Sequence, residues 1–148
     1  MGDQHSQDVQ DIKEELGRLA DHVFMEERSF LGGYLEHMLE FIIGKLELLT
    51  PGLEVDSDSL IVAEDCITDI ELEFIRGNPV KALSRAFRGL KSSPHHPVLW
   101  FHVGSACAAL DIVHGAMRAF MHASWIHPGY EDAKRAFGAL MACFYGDP

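Results

Sequence analysis

The residues best suited to chemistry crowd into one stretch, "WFHVGSACAALDIVHGAMRAFMHASWIHPG", Trp100 to Gly129. It holds four of the nine histidines, one of the three cysteines and both tryptophans. Histidine and cysteine are the usual ligands of zinc and copper, and a Ser–His–Asp set can cleave esters and amides. His114 and His122 lie eight residues apart on one predicted helix, about 12 Å along its axis. Two ligands on one helix normally stand three or four residues apart. His95 and His96 fall in a loop between prolines, and no third and fourth ligand can be assigned. Ser105, His102 and Asp111 lack a nucleophile-elbow pattern such as GxSxG. Neither metal nor catalytic residues are expected, and no cofactor. The alternative is a small helical metal-binding, sensor or enzyme domain built on His102, His114 and His122.

If these residues are not reactive, they must be structural, and the elements around them show how. No segment alternates with period two. Val9, Ile12, Leu16, Leu19 and Val23 recur every three or four residues, one stripe of an amphipathic helix. Gly32-Gly33 predicts a break or kink, and a second helix runs to about Leu49 before "TPG". "LEVDSDS" reads as a loop, with Ser57 or Asp58 able to cap the next helix. It is no calcium loop, because Ile61 and Ile67 stand where an EF-hand requires Gly and Glu. Helices follow from Ser59 to Ile75 and from Asn78, with Pro79 in the first turn, to Lys91. Three more cover 98–110, 114–126 and 130–145. The expected fold is all-α with about seven helices in one compact domain: a frayed, disordered tail over 1–7, a helical pair over 8–50, and helical repeats over 59–145.

Landmarks in the second half recur every 34 residues: Gly77 and Asp111, Ala82 and Ala116, Pro94 and Pro128. The second unit reads Trp100-x2-Val103-Gly104-x2-Cys107, then Ala116-x3-Phe120-x2-Ala123, then Pro128. This resembles the tetratricopeptide repeat, whose pattern is W-x2-L-G-x2-Y, A-x3-F, P over about 34 residues. Phe87 sits one residue late in the first unit, as a turn shortened by one residue would explain. Phe137, Gly138 and Met141 begin a third unit that reads as a capping helix.

The resemblance implies a fold of TPR-like stacked helix hairpins, an α-α superhelix with two extra N-terminal helices. It implies a non-enzymatic protein–protein interaction module: an adaptor, assembly factor or chaperone holding a partner's peptide or helix in its concave groove. In that family the first helix of each hairpin lines the groove. The corresponding face is Val98, Phe101, Ser105 and Ala108, then Asp132, Arg135, Ala139 and Ala142. In the first unit, allowing for the offset, it is Asp65, Thr68, Leu72 and Ile75. Residues 8–50 could instead fold back and fill that groove.

Charge narrows the partners. The net charge of −11 argues against nucleic acid, which needs a surplus of Lys and Arg. Residues 1–75 hold 19 acids and 4 bases, whereas 76–148 hold 4 acids and 8 bases. An acidic half is expected to sit against a basic half. Lys81, Arg85 and Arg88 share one helix face, flanked by Arg76 and Lys91, and could pair with acids of the preceding helix.

"FLGGYLEHMLEFIIGKLELL" is interrupted by charges and is not a membrane span, and no membrane partner is expected. The acidic start is unlike a signal peptide. Met1-Gly2 with Ser6 fits the myristoylation pattern only formally, with no basic patch behind it. Three widely spaced cysteines, Cys66, Cys107 and Cys143, suit a reducing, cytoplasmic setting. The helix before Leu49 carries more apolar residues than one stripe needs, so Tyr34, Met38 and Phe41 form an expected homodimer face.

Overall fold

The structure is a computed structural model and describes residues 2–25, 31–49 and 57–146. Among the described residues it is all-α, with seven helices and no strand. They are α1 (Gly2–Met25), α2 (Leu31–Leu49), α3 (Ser57–Ile75), α4 (Pro79–Ser92), α5 (Pro97–Ala109), α6 (Val113–Ile126) and α7 (Glu131–Tyr145). Two boundaries depart from expectation by more than one residue. α1 is helical from Gly2, so residues 2–7 of the expected tail are helical, and α3 starts at Ser57 rather than Ser59. α2 covers Leu31–Leu49, as expected. Asp56 and the "TPG" turn lie outside the described residues.

The second half repeats with a period of 34 residues in its backbone. α4 and α6 start at 79 and 113 and end at 92 and 126, and α5 and α7 start at 97 and 131. The turns match bond for bond. After α3, Gly77 N–H donates to Phe74 O at 3.1 Å and Asn78 N–H to Glu73 O at 2.8 Å. After α5, Asp111 N–H donates to Ala108 O at 3.1 Å and Ile112 N–H to Cys107 O at 2.8 Å. This is a glycine-type helix stop, whose turning residue adopts left-handed backbone. Gly77 has φ 75° and Asp111 has φ 62°. Asp tolerates this conformation better than most side chains. The later turns match too: His96 N–H donates to Ser93 O at 3.1 Å, and Tyr130 N–H to His127 O at 3.0 Å.

With turns of equal length, the one-residue offset expected for the first unit does not exist. Phe87 is instead a core residue on another side of its helix, fully buried. The face of α3 that corresponds to Val98, Phe101, Ser105 and Ala108 is therefore Glu64, Ile67, Glu71 and Phe74. Asp65, Thr68, Leu72 and Ile75 stand one position off it.

Consecutive helices from α3 to α7 pack on one another. α5 and α6 pack tightly at Gly104, where an added Cβ would lie 2.6 Å from Phe120 Cε1. Trp100, Val103, Cys107, Ala116 and Ala123 are fully buried along this seam. The Trp100 indole N–H is satisfied by Pro94 O at 2.7 Å.

The first two helices do not form a separate pair. α1 packs mainly on α4, and α2 touches α6 and α1 about equally. α1 lies along α4, with Ser84 Oγ donating to Ala20 O at 2.6 Å and Arg88 Nη2 3.1 Å from Asp21 Oδ1. Ile12, Leu16, Leu19, Ala20 and Val23 of α1 join the common core. Arg88 of the basic face of α4 thus meets Asp21 of α1; on the α3 side, Arg76 pairs with Glu73 at 3.1 Å.

Candidate functional site

Three regions carry the residues that could act: the face shared by α3, α5 and α7, a buried polar cluster between α2 and α6, and the outer surfaces of α2 and α7.

The α3–α5–α7 face holds the predicted groove residues. Val98, Phe101, Ser105 and Ala108 are all partly buried, whereas Asp132, Arg135 and Ala139 are exposed. Val98 and Asp132 line one cleft of 320 Å³, together with Tyr130. Asp132 and Arg135 pair with each other at 3.5 Å. Phe101 packs against rings of α6 and of the turn before α7. Its ring lies 5.4 Å from Phe120 and 5.5 Å from Tyr130. It is therefore both surface and support, since it backs the ring that fills the α5–α6 seam.

On α3, Ile67 and Phe74 pack against the core, and Glu64 and Glu71 are exposed. His96 lies near Glu64 and His102 near Glu71. Burial nevertheless lowers the pKa of both imidazoles and favours the neutral form. The face is acidic on α3, apolar in the middle and mixed in charge on α7.

Sequence reasoning missed the second region. Arg118 of α6 reaches α2, donating through Nε to Glu40 Oε1 at 2.6 Å and through Nη2 to Glu47 Oε1 at 2.8 Å. Glu47 Oε2 also lies 3.2 Å from Nδ1 of His122, which is fully buried. A carboxylate can only accept, so this contact assigns the Nδ1–H tautomer to His122. Burial tends to raise the Glu47 pKa, but the hydrogen bonds from Arg118 and His122 outweigh it and hold the carboxyl below its usual range. Burial pushes His122 down to about 4, a shift that Glu47 only partly opposes. Trp125 stacks on the His122 ring at 5.7 Å, Trp100 meets its edge at 5.1 Å and His95 lies 5.6 Å away.

The cluster fastens α2 to α6 and leaves the imidazole neutral. The one cue in the sequence was a charge inside an apolar run, Glu47 in "KLELL" and Arg118 in "GAMRAFM".

The three histidines of the metal alternative are not brought together. His102 faces Phe74 and Phe101, His114 faces Phe144, and His122 faces Glu47. Among the described residues no group of three His, Cys, Asp or Glu could hold a metal ion. Cys66, Cys107 and Cys143 are free, and burial raises the pKa of the Cys107 thiol far above its usual range.

Of the expected dimer face, Tyr34 and Phe41 are about half exposed, and Met38 is partly buried against the core. Tyr34 meets His22 of α1 at 4.6 Å, and Lys45 Nζ sits 4.8 Å over the Phe41 ring. Leu48 extends the same flank and is almost fully exposed. None of the described helices is long and apolar enough to cross a membrane. Comparison with protein-family models, curated proteins and solved structures gives no match.

Proposed function

We propose that this chain is a protein–protein interaction module of the tetratricopeptide type, which binds a peptide or helix of a partner along the α3–α5–α7 face and performs no chemistry itself. The observation that supports this most is the 34-residue period in helix boundaries and turn hydrogen bonds, together with α1 and α2 lying against α4 and α6. In that packing the described parts of α1 and α2 lie mainly against the second helix of each hairpin. An apolar centre flanked by charge suits an extended or helical segment with one or two apolar anchors. Phe101 is the aromatic anchor of the face, the residue type that most often carries interface energy. The reading includes a reducing, cytoplasmic setting, supported by the three free thiols.

The test is selection of peptides from a displayed library on the purified protein, followed by mapping of the bound peptide through amide chemical shifts. Shifts should concentrate on Val98, Phe101, Ser105, Ala108, Asp132, Arg135 and Ala139. Phe101→Ala should weaken binding by at least about 1 kcal/mol. Ser105→Arg should block the face without touching the Phe120 seam, and Arg135→Glu should change the charge preferred at the flank. Shifts confined to another surface, or a stoichiometric tightly held metal in the purified protein, would sink the proposal.

A further inference from the structure

α6 forms the floor of a second groove on the other side of the molecule. α2 runs parallel to α6, held by the Arg118 ion pairs, and α7 runs antiparallel to it, with His114 against Phe144. Between the two walls lies a cleft of 360 Å³. Met117 and Met121 form its floor, and Phe137, Met141 and Tyr145 form the α7 wall. Met121, Met141 and Tyr145 are all well exposed. The α7 residues of this wall stand on the opposite side of that helix from Asp132, Arg135 and Ala139. The α2 wall is different in kind, carrying Glu36 and Glu40. Arg118 also reaches the cleft, but Glu40 and Glu47 already engage it. Three carboxylates against one guanidinium leave that wall negative.

We infer that this groove is a second docking site, one that takes a cationic amphipathic helix of another protein. One helix flanked by two others leaves the position that a fourth helix fills in a bundle. From His114 to Met121 the floor runs about 10 Å, two turns of a docked helix. Methionine side chains are flexible and polarizable and adapt to varied apolar partners. Their presence on the floor and one wall suits a helix with apolar residues every three or four positions. The acidic wall selects Lys or Arg along one edge of that helix.

A second copy of this chain does not fit the same description. Its own cationic helix, α4, is packed against α1, α3 and α5. The inference goes beyond the α3–α5–α7 reading and does not depend on it.

The probe is a 15-residue amidated peptide of Leu and Lys with helical apolar spacing, compared with its Leu/Glu counterpart. Binding is measured by calorimetry at physiological salt. The Leu/Lys peptide should bind one to one, and the Leu/Glu peptide should bind at least tenfold more weakly. Met121→Glu and Met141→Glu should each cost at least tenfold, although each adds a negative charge. Both side chains are exposed, and thermal melts serve to check that the variants fold. Phe41→Glu adds the same charge on the opposite flank of α2 and should leave the affinity unchanged.

Nonspecific attraction predicts the reverse, namely equal or tighter binding by the Met→Glu variants, and that result overturns the inference. So does a failure of the Leu/Lys peptide to bind. A dimer of the wild type that Met141→Glu dissolves would assign the groove to a second copy instead.

Discussion

Gly104→Ala tests the seam between α5 and α6 with one carbon. The new Cβ would stand 2.6 Å from Phe120 Cε1, 2.7 Å from Cδ1 and 2.9 Å from Cζ, where ordinary contact begins at 3.4 Å. The ring must retreat by the difference, but Phe120 is almost fully buried and Phe101 stands 5.4 Å behind it. Overpacking of this kind costs about 1–3 kcal/mol. Replacing a mid-helix Gly by Ala returns about 1 kcal/mol through backbone entropy. A net loss of about 1 kcal/mol is expected, and a fall in Tm of about 2–4 °C.

The assay is urea unfolding followed by far-UV circular dichroism, run as a double-mutant cycle with Phe120→Leu. The smaller side chain leaves room for the methyl. The double variant should therefore be more stable than the sum of the singles predicts, by about 1 kcal/mol or more. A Gly104→Ala protein as stable as the wild type, or an additive cycle, would refute the claim that α5 and α6 cross at this residue.

Three further outcomes follow. His122 titrates at about 4 when folded against 6.5 unfolded, so the unfolded chain binds the proton first as pH falls. Its contribution is constant above about pH 6.5 and declines toward pH 4, a loss of about 2 kcal/mol by pH 5. His122→Gln should flatten that slope in urea unfolding at pH 7 and pH 5, and an unchanged slope would assign the acid sensitivity elsewhere. Arg118→Met leaves Glu40 and Glu47 without their cation and should cost about 1–3 kcal/mol by urea midpoint, the usual penalty for an orphaned, partly buried charge partner. Self-association through the outer flank of α2 should appear in sedimentation velocity as a dimer that Phe41→Glu converts to monomer, and a wild type that is monomeric at micromolar concentration removes it.

The repeat was legible because its landmarks are local. Gly77, Asp111, Pro94 and Pro128 mark turns through their own backbone preferences, and Gly104 and Ala116 mark close crossings by their size. Phe87 misled for a related reason. Its register suggested a shortened turn, yet the turns are equal and the ring simply belongs to another side of α4. The placement of α1 and α2 was not legible, because periodicity shows that a helix has an apolar stripe and not which helix covers it. The Glu47–Arg118–His122 cluster joins residues more than seventy positions apart, and no pattern in either segment names the other. The histidines drew attention as ligands. Burial and aromatic neighbours instead made His122 a neutral hydrogen-bond donor inside the core.

The matched turns after α3 and α5 make the chain tolerant of change in one step size only. Adding or deleting a single residue within α5 would turn everything beyond it by about 100°, because a helix has 3.6 residues per turn. Every seam downstream would then face the wrong way. Inserting a whole copy of residues 79–112 keeps the seams from α3 to α7 in register, and its cost falls on α2, whose anchors Arg118 and His122 move one repeat along. Each junction so created joins an Ile112-to-Val113 or Ile112-to-Pro79 boundary to the kind of neighbour it already accepts. Duplication of that block can therefore lengthen the array while α7 still closes it, whereas smaller edits within the helices misalign its seams.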